Sequence, residues 1–383
     1  ASDSNLATVT ITVEALVTAN AIWISTDADA VAPGADGLPA GWLQGEVLEF
    51  GGVDLAFGAS TDGDFSSVID FDAFALDATD VAALHFVSSD ITVGGGANTF
   101  DLQKGDVLVS FNQDETILGA YTVSGFDETY QKTDLLVFRP DTVGDFSSGT
   151  FHLLLDDVVA TNLRGITLVE QDTTVGDANL TAGSFLFTRD ALPFEDVYLF
   201  DPTGVGAGTT SGTTSTLIDG SALNISGELR GLELIEQTTS IGGVILDAGT
   251  LLFSLRFDDP DVGGNNLSTT QHDIFAVTVT KTGIGTTAGV ATMFLDGSDV
   301  NLDTNPGQEN IYAIAMVPNL VNNPPTVALA NTVTTFPEDM DTTSAIKVAD
   351  IVITDDSLGT NNLSLSGADA ALFEIVGTEL RLI

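Results

Sequence analysis

GITLVE at Gly165–Glu170 and GLELIE at Gly231–Glu236 are two versions of one phrase, and AALHFV (82–87) and IYAIAMV (311–317) hold the same place elsewhere in the chain. Each is a short apolar run of strand length, and internal repetition governs a fold reading before any single motif does. Three more strand types recur around these copies. One opens with Gly and reads GEVLEF (45–50), GDVLVSF (105–111), GSFLFTR (183–189) and GTLLFSL (249–255). The next reads VDLAF (53–57), DLLVF (134–138), DVYLF (196–200) and DIFAV (273–277). A third ends in an apolar residue followed by Asp, at Leu76-Asp77, Leu155-Asp156, Ile218-Asp219 and Leu295-Asp296. The pentapeptide GDFSS stands twice, at Gly63–Ser67 and Gly144–Ser148, six residues after Phe57 and Phe138. The expectation is an all-β chain with four copies of a four-stranded unit between about 45 and 317, leaving AIWIST (21–26) to cap or latch the set.

One such sheet cannot bury its apolar face alone, so the copies must shield each other. Radial packing into a four-bladed β-propeller is the favoured architecture, because it leaves only short edges. Stacked β-sandwiches built from the same sixteen strands are the alternative.

Of the 383 residues, 10 are Lys or Arg and 55 are Asp or Glu, a formal net charge of −45. That excludes nucleic acid and anionic membrane surfaces as electrostatic partners, since both select a basic face. The 43% hydrophobic content argues for a folded chain with an acidic skin rather than for disorder. Cysteine is absent, which removes disulfides and thiolate metal sites. No apolar run reaches the length of a membrane-spanning helix, so direct membrane insertion is not expected. The opening ASDSNLATVTITV has neither an initiator Met nor a signal-peptide layout, as expected of a segment of a longer protein.

After Val317 the texture changes to a Pro/Asn linker, PNLVNNPPTV. Asn322-Asn323-Pro324, then Phe336-Pro337-Glu338-Asp339, Ile353-Thr354-Asp355-Asp356 and LSLSGADAALFEIVGTELRLI (363–383) follow in order. This succession resembles the first half of a bacterial cadherin-like domain, of the kind strung along large secreted RTX-type surface adhesins. SNLATVTITV near the start looks like the last strand of a preceding cadherin-like or immunoglobulin-like domain. The expected organisation is therefore 1–14 as that last strand, 15–318 as the repeat domain, 319–324 as a linker, and 325–383 as a partial cadherin-like β-sandwich. The resemblance implies Ca²⁺ held at domain joints, with Glu338, Asp355 and Asp356 as ligands and Asn323 as a weaker one from the linker. Asn stands where such linkers usually carry Asp.

A second route to Ca²⁺ runs through the turn LDATDV (76–81) and its relative LDGSDV (295–300). Asp77 with Asp80, and Asp296 with Asp299 and Asp303, offer carboxylates at a spacing suited to a hard cation. The competing reading is that Asp opening a turn bonds its own backbone and needs no metal. Two of the four copies lack the second carboxylate, which favours that competitor. GGGANTFDL (94–102) is a single Gly-rich loop rather than a tandem calcium nonapeptide, and Gly283-x-Gly285-x-x-Ala288 joins two strands rather than opening a helix. His85, His152 and His272 lie on different strand types or loops, with no zinc-site spacing.

These features together lead to an extracellular, cell-surface adhesin segment, in which calcium-stiffened stalk modules flank a repeat domain that binds a glycan or a cell-surface protein or serves as a spacer. Catalytic residues are not assigned. A secreted hydrolase domain is an alternative, and it predicts one cleft lined by carboxylates in unequal environments. A structural layer or filament module is another, and it predicts exposed edge strands.

Overall fold

In the computed structural model, residues 21–76, 80–122, 129–159, 161–303, 309–318, 326–333, 335–336, 345–354, 363, 365 and 370–383 are described. The chain divides into two units, one spanning Asn20–Pro318 and the other containing Asn319–Ile383. All the principal elements are strands, as expected from β-branched and aromatic runs cut by Gly, Asn and Asp.

In the larger unit the strands are β1 (Ala21–Thr26), β2 (Glu46–Ala56), β3 (Asp62–Asp70), β4 (Val81–Phe86), β5 (Val107–Phe111), β6 (Leu135–Thr142), β7 (Asp145–Leu155) and β8 (Leu163–Leu168). They continue as β9 (Phe185–Arg189), β10 (Val197–Gly204), β11 (Ser211–Ile218), β12 (Leu229–Leu234), β13 (Thr250–Leu255), β14 (Ile274–Lys281), β15 (Ala288–Leu295) and β16 (Ile311–Val317). Four antiparallel sheets of four result: sheet I is β4–β5–β6–β7, sheet II β8–β9–β10–β11, sheet III β12–β13–β14–β15, and sheet IV β16–β1–β2–β3. The first strand of each sheet lies beside the first strand of the next, so that β4 neighbours β8, β8 neighbours β12, β12 neighbours β16, and β16 neighbours β4.

The repeat is clearest in the irregularities of pairing. Between the first and second strands each sheet carries a bulge near the same end, at Val81/Ala83, Leu163/Ile166, Leu229/Leu232 and Ile24/Thr26. Between the third and fourth strands each carries two, one of them at Leu135/Leu136, Val197/Tyr198, Ile274/Phe275 and Val47/Leu48. A bulge re-aims every residue beyond it, so a shared set of bulges marks equivalent positions better than shared letters do.

That register corrects four expectations. AIWIST is not surplus: as β1 it takes the second place in sheet IV, with β16 on one side and β2 on the other, and its six residues are all buried. GEVLEF therefore lies in a third-place strand, equivalent to DLLVF rather than to GDVLVSF, and VDLAF largely continues that same strand. The counterpart of Asp156, Asp219 and Asp296 is Asp70 at the end of β3, not Asp77. The two GDFSS copies do not coincide either, because Phe65 pairs with Phe50 whereas Phe138 pairs with Phe151, five residues beyond Phe146.

The recurring feature in that part of the sheet is a glycine facing a bulky side chain. A Cβ on Gly63, Gly149 or Gly212 would stand 2.7, 2.7 or 2.6 Å from the ring of Phe50, Phe138 or Phe200, and one on Gly289 would meet Val277 at 3.0 Å. The apolar core lies between neighbouring sheets. Leu186 and Val197 of sheet II pack in one cluster with Leu251 and Phe275 of sheet III, and Phe50 of sheet IV in another with Phe294 of sheet III. Trp23 of sheet IV meets Phe86 and Phe146 of sheet I edge-on, at 5.5 and 5.1 Å between ring centres.

The smaller unit contains β17 (Thr326–Ala330), β18 (Ile346–Thr354), β19 (Phe373–Val376) and β20 (Glu379–Leu382), an antiparallel sheet in the order β17–β18–β20–β19. Val348, Ala349, Ile351 and Leu380 form its small core.

Candidate functional site

The four first strands present equivalent side chains to one another, and the layers read from the bulge register are unlike in chemistry. Their close approach depends on two glycines: a Cβ on Gly165 would stand 2.4 Å from the Arg230 carbonyl oxygen, and one on Gly231 would stand 2.9 Å from Ile314.

One layer holds His85, Thr167, Glu233 and Ala315, and the next holds Ser88, Glu170, Glu236 and Pro318. His85 Nδ1 lies 3.3 Å from Glu233 Oε2 and 3.3 Å from Thr167 Oγ1, so three sheets converge on one imidazole. Its Nε2 stands 3.4 Å from Glu170 Oε1, within ion-pair range but without a hydrogen bond. Burial pushes the His85 imidazolium down, but the Glu233 and Glu170 carboxylates outweigh burial and raise it to about 10.

The three glutamates differ in environment. Burial pushes Glu170 up, yet the His85 imidazolium beside it and donors from Ser88 and Ser89 hold it below its ordinary value. Those donors are the Ser88 amide at 2.7 Å, the Ser88 hydroxyl at 2.8 Å and the Ser89 hydroxyl at 2.6 Å. Burial raises Glu233, against the opposing pull of His85. Glu236 is pushed by burial to about 7, although its Oε1 accepts from the Glu170 amide at 2.7 Å. These groups open into a pocket of about 270 Å³, walled also by Leu234, Ile235, Met316, Val317 and Pro318.

Beyond the other end of the same strands lies a network of opposite design. Arg164 and Arg230 occupy equivalent positions, and their guanidinium carbons lie 5.3 and 4.2 Å from the centre of the Tyr312 ring. Arg164 pairs with Asp190 and Glu228 at 3.1 and 3.2 Å and bonds Tyr312 Oη and Asn112 Oδ1; Arg230 pairs with Asp27 at 2.6 Å. Here the charges are mutually matched and packed, which suits a structural clamp.

The sequence-predicted residues are dispersed. Asp80 is buried in the Arg164 network, where burial raises it to about 6 and Asn112 donates to it at 2.8 Å. Asp296 caps a short 3-10 turn, accepting from the Ser298 amide and hydroxyl at 3.1 and 2.7 Å. Asp299 Oδ2 accepts from the Thr61 amide of sheet IV at 2.8 Å, and Asp303 is exposed. Asp219 likewise accepts from the Gly285 amide of sheet III at 2.7 Å, so the repeated aspartates bind one sheet to the next hairpin. Asp77, Asn323, Glu338, Asp355 and Asp356 lie outside the described residues.

Among the described residues, one group of three acidic side chains, Asp134, Asp156 and Asp157, brings carboxylate oxygens within 4.8 Å of one another. Asp134 Oδ1 accepts from the Asp157 amide at 3.0 Å, as Asp196 and Asp273 accept from Gly220 and Gly297 in the next two sheets. The third carboxylate arises because Asp157 replaces the glycine.

Reading the residues in order passed over the His85–glutamate pocket, although two signals were present. Glu233 interrupts the apolar run Leu232–Ile235, and Glu170 and Glu236 close the same phrase in two copies. No protein-family model, curated protein or solved structure matches this chain.

Proposed function

We propose that residues 20–318 form a ligand-binding module of an extracellular adhesin segment, closed as a four-bladed β-propeller, with recognition centred on the pocket beside His85. The observation that carries the reading is the pocket itself: three of the four repeated strands bring His85, Glu170, Glu233 and Glu236 to one opening. Sites of this kind, concave and with a few convergent polar groups, are where small ligands bind. Cyclic contact among the first strands and a sheet shared by both ends of the module support the closure. The dense acidic surface and the Asp134–Asp156–Asp157 group support calcium as a bound ion, and the cadherin-like resemblance supports a stalk context.

The test is a glycan array and a cell-surface binding assay with the full chain and its Glu236→Gln variant. Binding that is lost in the variant supports the reading; binding equal in both, or none, counts against it.

A hydrolase is the second reading, favoured by the unequal carboxylates: Glu170 is held ionised while Glu236 is pushed to about 7. Turnover of chromogenic glycosides that disappears in Glu236→Gln would select it over simple binding.

A further inference from the structure

We infer that the pocket takes a neutral, hydroxyl-bearing ligand the size of one sugar ring, with His85 Nε2 donating to a ligand oxygen and Glu236 Oε2 accepting from a ligand hydroxyl. This deepens, and rests on, the reading of the module as a ligand binder.

The argument starts from what each wall lacks. His85 is 4% exposed, lines the pocket, and its Nε2 has no hydrogen-bond partner. A buried N–H without an acceptor is costly, so this atom calls for an oxygen. Glu170 Oε1, 3.4 Å away, is an ion-pair neighbour that makes no hydrogen bond to it, so the donor is left for a ligand oxygen. On the facing side Glu236 uses Oε1 for the backbone amides of Glu170 and Gln171, at 2.7 and 3.3 Å, which leaves Oε2 for the pocket.

A donor and an acceptor therefore face the same space. An anion would be opposed by the three carboxylates, and a bare cation would leave the His85 donor unanswered. A hydroxyl answers both, since it accepts through a lone pair and donates through its hydrogen. Gln171 and Gln237 at the mouth have the same dual character, while Met316, Val317 and Pro318 offer an apolar wall to ring C–H groups. A volume of about 270 Å³ stands at the small end of ligand pockets, which fits one ring rather than an extended chain.

The experiment is saturation-transfer NMR on the full chain, with methyl hexopyranosides as probes and methylammonium and Ca²⁺ as competitors, on both sides of neutral pH. Glu236→Gln keeps an oxygen for the Glu170 amide but turns the pocket-facing acceptor into a donor. The expected result is transfer to at least one sugar, strengthening as pH rises through neutrality. It should weaken about tenfold in Glu236→Gln, the loss of one hydrogen bond to a charged group. A single cooperative melting transition confirms that the variant is folded.

Transfer to methylammonium alone would overturn the inference in favour of a cation site. No transfer from any probe, or sugar binding unaltered by Glu236→Gln, would overturn it too. A positive glycan array with a silent pocket sinks this inference and leaves the binding module standing; sugar held in the pocket with a silent array upholds the inference and removes the adhesin context.

Discussion

Ser254 Oγ donates to the carbonyl oxygen of Ile311 at 3.1 Å while accepting from the Gly231 amide at 2.8 Å, joining sheet III to the first strand of sheet IV. Thr188 does the same from sheet II to sheet III, donating to Leu229 at 3.2 Å and accepting from Gly165 at 2.8 Å. Ser25 repeats it from sheet IV to sheet I, with Val81 at 2.7 Å and Ala313 at 3.0 Å. Ser110 holds the equivalent place in sheet I, is fully buried, and its hydroxyl has no partner. Three hydroxyl bolts thus hold strands that hydrophobic packing alone would allow to slide.

Replacing a bolt should cost stability where the bond is made and little where it is not. Ser254→Ala and Ser25→Ala are each expected to destabilise by about 1–3 kcal/mol, the range for leaving a buried polar group unpaired. Ser110→Ala should be close to neutral. Urea unfolding measures all three, and equal losses at the three positions would show that the bond is not the source of the effect.

The glycines opposite the aromatic rings are packing requirements. Gly149→Ala would place a methyl carbon 2.7 Å from the Phe138 ring and 2.5 Å from the Arg139 carbonyl oxygen, neither of which is free to retreat. A loss of about 1–3 kcal/mol is expected, the usual cost of overpacking. Phe138→Leu combined with Gly149→Ala should recover part of it. Non-additivity in that double-mutant cycle is the measurement.

Stability should fall as pH rises from about 4.5 to about 7, in the part contributed by Glu236. Its carboxyl binds a proton more tightly folded than unfolded, so the native state holds more protons across that window and loses ground as they leave. His85 continues the trend: an imidazole raised from 6.5 to about 10 stabilises fully below 6.5, and that contribution drains away toward 10. Glu236→Gln should flatten the lower part of the melting-point profile and leave the upper part unchanged. A wild-type profile that rises between 4.5 and 7 by an amount sensitive to Glu236→Gln would contradict the assignment.

Calcium is expected to raise the melting midpoint, and EDTA to lower it, through stabilisation by a ligand that binds only the folded chain. Asp157→Gly would remove the extra carboxylate while restoring the residue found at the equivalent places in sheets II and III. A calcium shift that is smaller in this variant assigns the ion to that cluster; a midpoint indifferent to both calcium and EDTA removes calcium from the protein's chemistry.

The strand types were legible because a strand buried on both faces needs a largely apolar run, and four such runs recur. Their grouping was not, since β1 and β16 pair across nearly the whole module and proximity in the chain says nothing of that partnership. GDFSS misled for a related reason. Identical letters fell on opposite sides of a bulge, whereas Gly63 and Gly149, which do correspond, share only a residue type. The pocket was hidden because convergence of His85, Glu170 and Glu233 depends on three sheets meeting, a property of the assembled ring of contacts rather than of any one copy. The cap at Asp296 was the most readable site, since an Asp before a tight turn states its own hydrogen bonds.

Ala21 and Val317 are partners in the β1–β16 ladder, so the chain enters and leaves this module side by side. Tension drawn through the two ends would meet that ladder from one end and peel it rung by rung, instead of shearing all its bonds together. Under such a pull the most mechanically vulnerable part of sheet IV would be the seam where the chain meets itself.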